Sequence, residues 1–65
     1  MTTELYSVKD LLAEEYGPIF HAKNKAIAER NYHQMVEANK LNTEEYNLTL
    51  IGTFDNETGV LTPTT

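Results

Sequence analysis

Only one segment of the chain carries a helical apolar period, and residues that favour strands lie on both sides of it. In "KAIAERNYHQMVEAN", Lys25 to Asn39, steps of ~100° per residue put Ala28, Tyr32 and Met35 on one stripe, flanked by Ile27, Val36 and Ala38. Glu29, His33 and Glu37 fall on the opposite face. A lone amphipathic helix has no helical neighbour against which to bury its stripe, so the stripe must lie on a sheet. Asn24 stands where a side-chain oxygen accepts from a free N–H of the first turn, and so marks the helix start.

The sheet is read from the flanks. "LYSVKD", Leu5 to Asp10, alternates and is expected as a first strand, with residues 1–4 fraying ahead of it. In "LLAEEYGP", which follows, Leu11 to Glu15 has room for a single helical turn and Gly17-Pro18 redirects the chain. "PIFHA" is a short second strand with Ile19 and His21 on one face and Phe20 and Ala22 on the other. Pro18 fits its start, because proline is tolerated at a strand's first residue. "YNLTLIGTF", Tyr46 to Phe54, is the clearest strand. Its face of Tyr46, Leu48, Leu50 and Phe54 is interrupted by Gly52, which signals a bulge or a close approach of the helix. "DNETG" is a hairpin loop in which Gly59 supplies a positive φ. "VLTP" returns as a last strand ended by Pro63, and 64–65 are expected to fray. The expected fold is α+β: a small, mostly antiparallel sheet of about four strands with one amphipathic helix packed on one face. Its order along the chain is strand–strand–helix–strand–strand, and residues 1–65 are expected to form a single small domain.

Such a domain has little to spare. The chain has 65 residues and no cysteine, so neither a disulfide framework nor a thiolate metal site is open to it. Ordering costs ~1.5 kcal/mol per residue, and burial in so short a chain barely exceeds it. A homo-oligomer or a partner complex is the expected supplement. Ten acidic residues against five basic ones, a net charge of −5, oppose non-specific coating of a phosphate backbone. No apolar run reaches the ~18 residues of a membrane span, and "MTTELYSV" reads as an authentic start without a signal peptide. The expected place is the cytoplasm, with no membrane contact.

Candidate chemistry is sparse. Glu29, His33 and Glu37 follow i, i+4, i+8 spacing that suits a metal, but the same spacing suits a solvated face with Glu–His pairs, and the latter is the better reading. Glu14–Glu15 and Glu44–Glu45 are sequence neighbours whose side chains diverge, so neither is an acid/base couple. Phosphate-loop and dinucleotide signatures are missing from the sequence, and no Ser/His/Asp order recommends itself. The expectation is a protein that is not an enzyme and needs no cofactor or metal. One cluster stands out: Lys23, Asn24 and Lys25 sit at the positive end of the helix, with Arg30 further along one side. They are the candidate contact for an anion or DNA. Surface lysines paired with nearby glutamates are the better reading of the same residues.

Three segments in order, "YSVKD", "YGPIFHAKNKAIAERNY" and "YNLTLIGTFDNETGVL", resemble the small nonstructural protein of gokushovirus-type microviruses, tailless phages with single-stranded circular DNA genomes. The family pattern is an early "YS..D" strand, a "GP.F.AKN...A.R.F" segment and a late "Y.L..LG.FD..TG.L" hairpin. Tyr32 stands where phenylalanine is usual, and Ile51 where the family tends to have leucine. The resemblance covers residues 5–63. It implies a virus-encoded accessory protein of the infected host cell, acting in single-stranded DNA genome production by DNA binding or by contact with the replication machinery. The alternative is a homodimeric protein–protein interaction module that binds a host factor and has no nucleic-acid role. A virion component is not expected, because peptides that neutralise a packaged genome are strongly basic.

Overall fold

The computed structural model describes residues 1–64. Along the chain run β1 (Thr2–Asp10), β2 (Glu15–Tyr16), β3 (Phe20–Ala22), helix α1 (Lys25–Asn39), a 3₁₀ turn (Thr43–Glu45), β4 (Tyr46–Asp55) and β5 (Leu61–Pro63). The two long strands, β1 and β4, form the spine and pair antiparallel from Thr2↔Asp55 to Asp10↔Tyr46. On the outer side of β1 lie β2 and β3, and on the outer side of β4 lies β5, every pair antiparallel. Here β2 and β3 are two pieces of one edge, broken at Gly17-Pro18-Ile19. This is the α+β sheet-and-helix arrangement that the patterning predicts, with β2 added to the order.

Three expectations about the chain path are corrected. Leu11 to Glu15 forms no helical turn. The Asp10 carboxylate accepts from the N–H groups of Leu12 and Ala13 at 3.0 and 3.1 Å, and Glu14 takes a left-handed φ of 57°. The chain therefore reverses at once, and Glu15 pairs back onto Asp10. Residues 1–4 do not stand apart from the sheet: Thr2, Thr3 and Glu4 pair with Asp55, Phe54 and Thr53. Thr64 is tied as well, donating from its N–H to the Ile51 carbonyl at 3.0 Å and from its hydroxyl to Leu50 at 3.2 Å. Thr65 lies outside the described residues.

The helix begins where Asn24 accepts from the Ile27 N–H at 2.9 Å. It ends at Lys40, whose left-handed φ of 53° lets Leu41 N–H reach the Val36 carbonyl at 3.0 Å. It lies over β3 and β1, so it buries a single row: Ala28, Tyr32 and Val36. Met35 is half-buried and Ala38 exposed, so the stripe is narrower than its periodicity suggests. Beneath it Tyr6 and Ala22 complete the buried core, with Phe20, Ile27 and Leu48 packed around them. The Tyr6 and Phe20 rings stack with centroids 6.1 Å apart.

One irregularity decides which side chains reach that core. Register in the spine shifts between Leu5 and Tyr6: Tyr6 faces Leu50 and Leu5 faces Gly52, leaving Ile51 as an extra residue in β4. Partners across a ladder share a face, and one extra residue inverts the alternation beyond it. Tyr46, Leu48 and Leu50 therefore share the helix side with Asp10, Val8 and Tyr6, as expected. Phe54 pairs with Thr3 and is turned to the opposite face, which the unbroken alternation of the sequence does not foresee. Gly52 is also a close-approach site, but of β5 and not of the helix. A Cβ there would lie 2.6 Å from the Thr62 carbonyl oxygen.

Candidate functional site

The lysines at the helix start diverge. Lys25 opens α1, and Glu29 one turn on reaches its ammonium at 3.9 Å. Both line a hollow of about 520 Å³ with Tyr32, His33 and Tyr46. Lys23 belongs to the extended lead before the cap and lines a different hollow of about 430 Å³, with Leu5, His21 and Phe54. The two hollows share no residue. Asn24 between them uses its side-chain oxygen on the Ile27 N–H, and Arg30 is exposed on the helix. The divergence follows from the cap, where an extended backbone, φ −157°, becomes helical within one residue.

The helix face of Glu29, His33 and Glu37 is exposed throughout. Among the described residues no group of three histidine or carboxylate side chains is gathered to hold a metal. The most perturbed ionisable group is structural. Burial pushes the Tyr6 phenol up to about 12, and the Glu4 carboxylate that accepts its proton at 2.8 Å adds to the shift, as does the charge of Glu29. Tyr6 thus stays a neutral donor inside the core. Asp55 is held below the usual carboxylate range chiefly by the Glu57 N–H, which donates to it at 2.9 Å, with Thr58 assisting. That pair of bonds shapes the β4–β5 turn, where Gly59 has φ 75° as predicted.

Two surfaces that the motif scan misses are more distinctive. At one end of the sheet Leu11, Leu12, Tyr16 and Ile19 are 44, 75, 55 and 62 % exposed. They surround the β1–β2 turn and the Gly17-Pro18 break, where a chain of this composition would ordinarily place polar residues. Apolar letters in a turn were the available signal. At the other end is the sheet face turned away from α1, where the bulge brings Phe54 beside Leu5, Leu61 and Pro63. Gly52 was the signal there. On this face the spine carries Lys9, whose ammonium lies 5.6 Å from the Tyr16 ring centroid. The acidic residues of the strands, Glu4, Asp10, Glu15 and Asp55, alternate to the helix side.

No helix of the described residues is long and apolar enough to cross a membrane. Neither the curated proteins nor the solved structures contain a match to the chain. A family model described as Phage ORF5 protein does match, over residues 3–65, and includes both surfaces and the helix between them, so the chain belongs to the Phage ORF5 protein family.

Proposed function

We propose that this is a non-enzymatic phage accessory protein that acts through contact with another protein while single-stranded DNA genomes are being produced. The contact is carried by one observation, the exposed apolar group of Leu11, Leu12, Tyr16 and Ile19 around the β1–β2 turn. Genome production as the process, and gokushovirus-type microviruses as the narrower group, are supported by the three segments "YSVKD", "YGPIFHAKNKAIAERNY" and "YNLTLIGTFDNETGVL". Direct contact with DNA is the lesser part of the reading. Of five basic residues, Lys25 is paired with Glu29, and Lys23 and Arg30 remain to meet a phosphate near Asn24. The protein works in the host cytoplasm and stays outside the virion.

The test is capture from lysate of infected host cells with the parent chain and with Leu12→Asp and Ile19→Asp. The parent recovers a replication helicase or initiator, and the two variants lose it. Recovery of an unrelated host enzyme instead would favour a host-factor module with no nucleic-acid role. Equal recovery by parent and variants would remove this surface from the reading. Binding of single-stranded oligonucleotides at two salt concentrations tests the DNA part. Lys23→Glu with Lys25→Glu should lower both affinity and salt slope, and unchanged values refute it. Mass spectrometry of purified particles should find no copies of the chain.

A further inference from the structure

The chain exposes more surface than its mass requires. A compact monomer of 7.4 kDa exposes about 4,200 Å², whereas this one exposes 4,881 Å², roughly 700 Å² more. Its radius of gyration, 12.5 Å, likewise exceeds the about 11 Å expected for this length. The reason is a two-layer fold with one layer incomplete: α1 covers one face of the sheet. On the spine strands' other face, among the described residues, Ser7 is buried, its hydroxyl donating to the Gly17 carbonyl at 2.8 Å, while Leu5 and Phe54 are only half-buried. The excess is close to the ~800 Å² that each partner contributes to an interface of standard size.

The open face is unlike the rest of the protein. Leu5, Phe54, Leu61 and Pro63 adjoin there by register, Leu61 being 56 % exposed, and the carboxylates of the strands all lie on the other side. Two bodies that each carry a charge of −5 repel, and they meet at least cost through the face that lacks carboxylates. Addition of a strand at the sheet edges is opposed. Pro63 removes a donor from β5, and Pro18 interrupts the β2–β3 edge.

We infer that the open sheet face is a self-association surface, on which a second copy of this chain packs face to face about a two-fold axis along the strands. Such an axis superposes the β3 edge of each copy on the β4–β5 side of the other. Lys23, level with Phe54 on the β3 edge, then approaches the partner's Asp55–Glu57 turn. Phe54 and Leu5 of the two copies close the incomplete layer, and the hollow of about 430 Å³ that they line is filled from across the interface.

Sedimentation of the full chain at low and high salt tests this. The expected mass is that of two chains, with association strengthened by salt as repulsion between the acidic bodies is screened. Leu61→Glu, at an exposed edge position, should keep the far-UV spectrum and weaken association by at least about tenfold, because the symmetry buries the charge twice. Lys23→Glu should weaken it, and adding Glu57→Lys should restore it. A monomer at every salt concentration, a folded Leu61→Glu that still pairs, or association that salt weakens would each overturn the inference. The outcome is separable from the proposed protein contact: Leu12→Asp should leave the dimer intact, and Leu61→Glu should leave capture from lysate intact.

Discussion

Gly52→Ala probes the joint between the spine and the last strand. The new methyl would sit 2.6 Å from the Thr62 carbonyl oxygen, 3.1 Å from Pro63 Cα and 3.3 Å from the Thr62 carbonyl carbon. All three are backbone atoms, so relief requires β5 to move and not a side chain to turn. Overpacking of this kind costs roughly 1–3 kcal/mol, and the lower entropy of an unfolded chain with alanine returns about 0.5–1 kcal/mol. The net expectation is destabilisation by about 1–2 kcal/mol. A domain of this length has ~3–10 kcal/mol in total, so the change is a large fraction of it. The melting temperature should fall by about 5–15 °C. Thermal unfolding followed by far-UV circular dichroism measures it, at one fixed protein concentration because association shifts the midpoint. Gly17→Ala is the matched comparison. Its methyl meets only the Val8 carbonyl, at 3.4 Å, and the melt should stay within a few degrees of the parent. A Gly52→Ala protein that melts at or above the parent temperature would refute the close approach of β5.

Two further outcomes follow from single groups. The Tyr6 phenol is raised from 10.0 to about 12, so the folded state holds that proton more tightly than the unfolded chain does. Its stabilising contribution is complete below pH 10 and is lost as pH rises toward about 12. In an alkaline series of melts the parent should decline across this window, and Tyr6→Phe should decline less. Equal slopes would show that Tyr6 is not the group responsible. Asn24→Ala removes the acceptor 2.9 Å from the Ile27 N–H and should cost about 1 kcal/mol in urea unfolding, with an unchanged denaturant slope. A loss below a few tenths of a kcal/mol would mean that solvent caps the helix equally well.

How far the fold was legible depends on whether a feature is local. The helix announces itself because Ala28, Tyr32 and Met35 recur at its period, with Val36 beside them, and Asn24 caps it, and both signals lie within fifteen residues. The β4–β5 turn is equally local, since Asp55 and Gly59 bond within their own loop at 2.8 Å. Phe54 is the opposite case. Its face depends on Ile51 having no partner in β1, a fact about a strand some forty residues away. A missing Cβ at Gly52 announces that something comes close, but not whether it is helix or strand. The lysines of the candidate anion contact failed to gather for a similar reason. Lys23 and Lys25 are two positions apart in the chain, but the backbone turns from extended to helical between them, and Glu29 meets only the second.

The spine strands come from opposite ends of the chain, and that governs when the protein can form. While it is being synthesised, β1 has only the short pieces β2 and β3 to pair with, and α1 has little sheet beneath it. Tyr6 finds Leu50, and Val8 finds Leu48, only once synthesis has passed β4, some forty residues after β1. Such long-range closure is slow and leaves apolar strands bare in the meantime. A copy cut short before Tyr46 therefore lacks half of its central ladder, and synthesis yields either the entire domain or unfolded chain.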